Sequence, residues 1–509
     1  MAEDRAYYRP EWTCGRYNQE HQATIYYNLL EGMSYYFEDY SAQVMGFILS
    51  VPRNTSFAVS SLVKATGIAE DSIMPFMDQL ESLGMITGQK PTIESITSYR
   101  ENIRKCKMDN MDNESNAVDD MPLYTTSAEK DYMAKVGGVV SVMFELTYNC
   151  STKCIHCYNL GATRNDEEVS YRSEREELQY KDYIRIIDEL YEQGLTKVCL
   201  SGGDPFSKPN VWDIIEYLYK KEIAVDIYTN GVALKDKENR LANYYPHFVG
   251  ISVYSAIPHV HDAITRVKGS FERTIGVIQN LSLLSIPIAL KCCIMRPNFK
   301  SYRTVKDLAD SFNAETQYEV HLTDSIDGDK CVSRHLRLLP NQYEVVFRDP
   351  YIRAYVGPEL PNYGGIKKTA DIRPCGAGEC TFCITPEGNM IPCCSFHLIL
   401  GNLKDNSVTS LIEDNEVLEQ WRNTVVGDTE ECGKHDYCDF CVLCAGNNFS
   451  EHHSYLKAGE NNCYIAKLRY ELSLKMKNEG YDPIGGKTIA DKLEQMDSAY
   501  EGKLKREKA

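Results

Sequence analysis

The sequence predicts an α/β fold: a partial (β/α)6 TIM-like barrel, preceded by a winged-helix-like module and followed by a cysteine-rich domain. Three observations carry this. From residue 139 onward, short apolar strand patterns alternate with amphipathic helix patterns about six times, and such repetition calls for a parallel sheet or barrel. Before that, residues 23–83 read as a hairpin followed by three helices, the outline of a winged-helix unit. After it, ten of the chain's 19 cysteines lie between Cys375 and Cys463, a density that reads as metal ligation.

The 509 residues suggest two to four domains. The boundaries read as 1–100 for the first module, 101–137 for an acidic linker, 138–345 for the barrel, 346–470 for the cysteine-rich domain and 471–509 for a charged helical tail. A net charge of −18 argues against a nucleic-acid or anionic-membrane surface. The start, Met-Ala-Glu-Asp-Arg-Ala, has no apolar core of a secretion signal, and no apolar run reaches the ~18 residues of a membrane span. Cysteines in that setting argue for a reducing compartment rather than disulfides. A cytoplasmic location is the expectation. Cys14, Cys106, Cys199, Cys292 and Cys331 stand isolated and read as ordinary thiols.

In the first module, residues 23–30 and 34–37 carry the β-branched and aromatic residues of strands around Gly32. Helices follow at 41–49, 60–65 and 70–83, the last with Ile73, Phe76, Met77, Leu80 and Leu83 on one face and Gly84 at its end. Few basic residues lie on that helix, which disfavours DNA reading. In the barrel, strands read at 139–147, 196–201, 224–228, 248–253, 287–295 and 318–322, and helices at 180–193, 211–219, 271–285 and 302–312. Reacting groups in such a fold gather at the C-terminal ends of the strands.

The first strand runs into Cys150-Ser-Thr-Lys-Cys154-Ile-His-Cys157. Three thiolates spaced CxxxCxxC can hold three corners of a cubane iron–sulfur cluster. No fourth cysteine is near, so one iron keeps an open position; zinc would prefer four ligands in a closed site. Strand two ends Ser201-Gly202-Gly203-Asp204-Pro205, strand three Thr229-Asn230-Gly231, and strand four Ile251-Ser252-Val253. Two glycines let the backbone approach a ligand closely.

These motifs resemble the radical S-adenosylmethionine (SAM) superfamily. The resemblance implies that the open iron chelates SAM and that an electron from the cluster releases a 5′-deoxyadenosyl radical. Gly202, Gly203 and Asp204 resemble the family's GGE motif, which contacts the SAM amino group, with Asp204 in place of Glu. Ser252 resembles a position reaching the SAM ribose or carboxylate. Arg266 stands one place later than the family's usual arginine and is the candidate for pairing with the SAM carboxylate. His156 occupies a position often aromatic in the family, near the adenine.

Cys375, Gly388-Asn-Met-Ile-Pro-Cys393 and the later cysteines resemble the SPASM domain, which holds two auxiliary [4Fe–4S] clusters. The later order, Cys432-x5-Cys438-x2-Cys441-x2-Cys444, departs from the family's more common x2, x5, x3. By position, the resemblance implies Cys375, Cys393 and Cys444 at the first auxiliary cluster, with Cys380 (or Cys383) as its fourth ligand. Cys432, Cys438, Cys441 and Cys463 fall to the second, and Cys394 is left as a bystander. Zinc remains the alternative occupant for the CxxC pair.

The first module resembles the RiPP recognition element (PqqD-like), in which a leader peptide adds a strand to the sheet edge against the third helix. Together the resemblances imply a peptide maturase with three [4Fe–4S] clusters, one of them SAM-binding. It would bind a ribosomally made precursor peptide by its leader. It would then install a cross-link, thioether or carbon–carbon, with electrons from a flavodoxin or ferredoxin. The other readings are a maturase of a folded protein of the sulfatase-maturing type, a small-molecule enzyme, and a non-catalytic iron–sulfur carrier or peptide-binding scaffold.

Overall fold

A computed structural model describes residues 5–111, 126–159, 176–325, 331–349 and 367–479. Thus the middle of the expected linker, most of the expected tail, and the side chains of Cys106 and Cys331 lie outside the described residues.

The first module is a three-stranded antiparallel meander, β2 (Thr13–Asn18), β3 (Ala23–Asn28) and β4 (Met33–Glu38), in the order β2-β3-β4. A short β1 (Ala6–Tyr8) pairs with β5 (Ser56–Ala58) beside it. Helices α1 (Asp39–Ser50), α2 (Val59–Thr66) and α3 (Glu70–Ser82) bury Val44, Met45, Leu62, Ile73, Met77 and Leu80 against Tyr26. The hairpin and three helices are where the pattern puts them. β2 escapes the pattern because Thr-Cys-Gly-Arg-Tyr-Asn has no alternation and carries a glycine.

α4 (Ile93–Met111) and α5 (Ser127–Val136) occupy the ends of the stretch read as linker. α5 is part of the packed body. Thr126 and Glu129 close a capping box at its start, Tyr132 is buried against Trp12 and Ile25, and Glu129 is fully buried. The acidic composition hides this because the carboxylate is matched from elsewhere. Lys197 Nζ lies 2.7 Å from Glu129 Oε1 and 3.4 Å from Asp226. His247 Nδ1 lies 2.7 Å from Asp226, and the Tyr27 hydroxyl donates to Glu129 at 2.9 Å. This network joins β3 and α5 to the barrel.

The barrel strands are β6 (Ser141–Glu145), β7 (Lys197–Ser201), β8 (Ala224–Thr229), β9 (Phe248–Ser252), β10 (Ile288–Cys293) and β11 (Glu315–Glu319), all parallel and paired in chain order. Helices α6 (Tyr180–Glu192), α7 (Val211–Lys220), α8 (Glu238–Ala242), α9 (Pro258–Thr265), α10 (Ser270–Leu283) and α11 (Arg303–Ser311) connect them. Outward residues such as Phe144, Leu200, Ile227 and Leu290 form the main core with these helices. The alternate residues, Met143 and Glu145, Cys199, Tyr228, and Lys291, face the concave side. Six parallel strands agree with the expected partial barrel.

Beyond the barrel come α12 (Cys331–Leu336) and α13 (Pro340–Arg348), then β12 (Thr381–Ile384), β13 (Asn389–Ile391) and β14 (Gly401–Asn402). β12 adds to the barrel sheet as a parallel partner of β6, and β13 and β14 follow antiparallel. The nine-stranded sheet therefore reads β11-β10-β9-β8-β7-β6-β12-β13-β14. Helices α14 (Val408–Glu413), α15 (Glu416–Asn423), α16 (Ala445–His452) and α17 (Glu460–Glu479) complete the C-terminal region. Among the described residues, no helix is long and apolar enough to cross a membrane.

Candidate active site

The loop leaving β6 carries Cys150, Cys154 and Cys157, and it is clamped from two sides. On one side Gly203 N donates to Thr147 O (2.7 Å) and Asp204 N to Asn149 O (3.0 Å). On the other, Lys153 N donates to Thr265 O and Ile155 N to Ile264 O, both at 2.9 Å, at the end of α9. The two glycines follow from the first clamp. A Cβ on Gly203 would stand 2.5 Å from Asn149 O, and one on Gly202, whose φ is +118°, 2.4 Å from Thr147 O. In this structure they seat the cysteine loop, rather than only admitting a ligand.

Asp204 is a finding against expectation. It is fully buried, and both carboxylate oxygens are spent inside the protein. Oδ1 accepts from Phe206 N (3.0 Å), and Oδ2 from Thr229 Oγ1 (2.7 Å) and Asn230 N (3.0 Å). Burial raises its pKa against these three donors. These bonds brace the ends of β7 and β8. Asp204→Ala is expected to cost roughly 1–3 kcal/mol for each buried donor left unpaired, read as a lower urea midpoint.

The three thiols gather near one another. Thr152 Oγ1 is 3.3 Å from Cys150 Sγ and 3.5 Å from Cys154 Sγ. Asn230 Nδ2 donates to Cys150 Sγ at 3.2 Å, and the Tyr254 hydroxyl lies 3.9 Å from Cys154 Sγ. Burial, and then its two sister thiols, push Cys157 up to about 12. Among the described residues, no three His, Cys, Asp or Glu side chains are set to grip a single ion. The donor set fits a cluster: three soft thiols, no competing carboxylate ligand, and polar groups aimed at the sulfurs. Asn230 is absent from the residues the sequence singles out for this site, because only the folded approach of the end of β8 brings its amide to Cys150.

The remaining expected residues divide. His156 lies edge-on to Tyr254 with ring centroids 4.7 Å apart. Its Nδ1 is buried without a hydrogen-bond partner among the described residues, and burial lowers its pKa to about 4. Ser252 ends β9 beside the Tyr254 hydroxyl. Arg266 is the C-cap of α9, in the left-handed region at φ +57°, and exposed; it is not drawn in among the thiols. On the concave face Lys291 Nζ stands 3.3 Å from the Tyr228 ring centroid, and burial lowers its pKa to about 8.

The C-terminal cysteines form two groups. Cys432, Cys438 and Cys441 all act on Cys463, whose pKa rises to about 12, first through burial. Cys375 acts on Cys444, and Cys444 on Cys393. Cys444 caps α16, so Asn447 N points at its sulfur (3.5 Å) and opposes the burial that pushes its pKa up to about 12. Cys380 has Arg422 as its charged neighbour. The Cys383 thiol lies on the concave face with Cys199, Cys394 and Met143, and the Cys394 thiol is also hydrogen-bonded with that of Cys393.

Residues 144–310 match the radical SAM superfamily, and residues 375–445 match SPASM, an iron–sulfur cluster-binding domain. The chain thus carries a radical SAM region in its barrel and a SPASM region beyond it. Those two regions imply SAM and multiple [4Fe–4S] clusters as cofactors. The chain is 29% identical over 342 residues to the antilisterial bacteriocin subtilosin biosynthesis protein AlbA of Bacillus subtilis, covering 64% of this chain and 69% of that one. It is 27% identical over 320 residues to the mycofactocin maturase MftC of Mycobacterium tuberculosis, covering 59% and 77%. In fold, Streptococcus suis SuiB bound to its precursor peptide SuiA superposes with a TM-score of 0.50 at 14% identity, covering 90% of this chain and 99% of that one.

Proposed function

We propose that this chain is a radical SAM maturase that cross-links a ribosomally made precursor peptide. The observation that carries the reading is the cysteine loop, clamped over the concave face of a barrel that β12 to β14 of the SPASM region extend. The similarity to proteins named for bacteriocin biosynthesis and mycofactocin maturation supports the peptide as substrate class. Cys150, Cys154 and Cys157 would hold the SAM-binding cluster. Cys432, Cys438, Cys441 and Cys463 would hold one auxiliary cluster, and Cys375, Cys393 and Cys444 the other, with Cys380 as the positional candidate for its fourth ligand. When bound, the first cluster with SAM supplies hydrogen-atom abstraction from the substrate. The chain's own part is to orient and enclose. Asn230 and Tyr254 set the thiols, the inward side chains shape the lumen, and a flavodoxin or ferredoxin delivers electrons.

The N-terminal module would capture the leader. β4 is one of the two outer strands of its sheet, so it offers backbone groups to an added strand. Phe37 and Tyr40 stand against Phe76 of α3, with ring centroids at 5.9 and 6.5 Å, and Tyr40 is 56% exposed. These rings form an apolar wall beside the strand edge. Capture there raises the effective concentration of the core segment at the barrel. A Tyr40→Ala, Phe76→Ala double variant is expected to raise KM for the precursor about tenfold, with a smaller change in kcat, measured by steady-state turnover.

The reading itself is tested by co-expressing the full chain with a candidate short precursor peptide sought among the open reading frames beside its gene. Mass spectrometry should show a peptide lighter by two hydrogens. An unchanged peptide mass, with clusters intact and SAM cleaved, would refute the assignment.

A further inference from the structure

We propose that Glu145 is the proton acceptor of the bond-forming step, taking the proton that a substrate X–H group loses as X joins a substrate carbon. This rests on the peptide-maturase reading above. Joining a C–H and an X–H group in one C–X bond removes two hydrogens. One leaves carbon as a hydrogen atom and ends in 5′-deoxyadenosine. The other leaves X as a proton, while one surplus electron passes to a one-electron acceptor of the iron–sulfur class. That proton needs a base in reach of an enclosed substrate.

Glu145 is the last residue of β6 and shares the concave face with Met143. It is 0% exposed. The Tyr148 hydroxyl donates to Oε2 at 3.2 Å, and the Tyr158 hydroxyl to Oε1 at 3.1 Å. These two tyrosines bracket the cysteine loop, one before Cys150 and one after Cys157. From the opposite side, the groups acting on the carboxyl are Cys394 and Glu387, at either end of the β13 arm, and it acts in turn on Cys383 of β12. Glu145 thus stands at the end of β6 on the concave face, between the cysteine loop that follows it and the SPASM strand β12 that pairs with β6.

Among the described residues, no lysine, arginine or histidine pairs with this carboxyl. A buried carboxyl without a cation is costly, and such groups concentrate at reacting sites. Burial first, and then Cys394, push its pKa up to about 8, near the range where a general base works best. Both phenols donate to the ionised form, which keeps the carboxylate attainable. Lys291, also on the concave face, rests on the Tyr228 ring and brings a cation rather than an acceptor.

The test uses the full, cluster-loaded chain with the same precursor peptide, deuterated at its core residues. Glu145→Gln keeps the side-chain shape but takes no proton. Cross-linked peptide formed per 5′-deoxyadenosine released is expected to fall on the order of 100-fold, with deuterium still reaching 5′-deoxyadenosine. Glu145→Asp, a carboxylate one methylene shorter, is expected to recover part of that ratio. Tyr148→Phe with Tyr158→Phe removes both donors to the carboxylate. The rising limb of the pH profile for cross-linking should then move to higher pH, which a merely bracing role would not produce. The proposal is overturned if Glu145→Gln keeps the wild-type ratio, if product and SAM cleavage fall together, or if the pH limb stays in place. A wild-type enzyme that leaves the peptide mass unchanged sinks the maturase reading instead, and is seen before any variant is compared.

Discussion

Cys154→Ala will reduce SAM cleavage below detection, and Cys150→Ala and Cys157→Ala will do the same. The loop holds the three thiols together: Thr152 touches two of them, and burial with the charge of its two sister thiols raises the third. Such thiols ionise only against a cation, so each depends on the cluster and the cluster on each. With one ligand gone, a cluster held by three protein sulfurs keeps two, and the site no longer fixes an open iron. Rate enhancements of at least ~10⁶ separate enzymes from uncatalysed reactions, so partial activity is not expected. The measurement is 5′-deoxyadenosine release from anaerobically reconstituted protein with dithionite. The SPASM groups use other residues, so absorbance from their clusters should persist in each variant. Retained cleavage in any of the three would remove the loop from the active site.

Much of the barrel was legible because parallel strands buried on one face by helices leave a strong apolar signature, as in Val139–Val140 and Leu195–Leu200 with α6 beside them. The cysteine loop was legible because thiol spacing is itself the chemical constraint. Three features were not. β12 joins β6 over a long sequence separation, which no local pattern encodes. α5 hides inside an acidic stretch because its buried Glu129 takes its counter-charge from Lys197, some 68 residues onward. Asp204 matched a ligand motif, yet its partners Thr229 and Asn230 come from the next strand, and only their approach shows that the carboxylate is occupied. The same limit applies to Glu145. In sequence it is one more residue of an apolar strand, and its meaning arises from two tyrosines that the loop folds back onto it.

Lys197→Met will destabilise the protein by about 3–5 kcal/mol, the cost of stranding a buried ionic partner. Lys197 is 3% exposed and Glu129 0%, and Lys197 bridges Glu129 to Asp226. Removing the ammonium leaves two carboxylates facing each other in the interior, with His247 the remaining group beside Asp226. Because Tyr27 of β3 also donates to Glu129, the loss should be felt first where the N-terminal module meets the barrel. Hydrogen exchange of β3 and α5 should rise before that of β7 to β10. Replacing Glu129 by Gln in the Lys197→Met background should recover part of the loss, since one of the two stranded charges is gone. The pH dependence has a defined sign. Burial works to raise the Asp226 pKa, but Lys197 and His247 outweigh it and the net shift is downward. Its stabilising contribution is therefore present above its unfolded value of about 3.9 and is lost as pH falls through the lower folded value. Lys197 is raised by Glu129 and Asp226 against burial, so its contribution is present below about pH 10.4 and is lost only in stronger alkali. Urea midpoints of the wild type should thus fall on acidification below about pH 4, and in Lys197→Met that fall should be weaker, because protonating a stranded carboxylate relieves its cost. A Lys197→Met protein with wild-type midpoints from neutral pH down to the acid limb would show that the network contributes nothing to holding the module on the barrel.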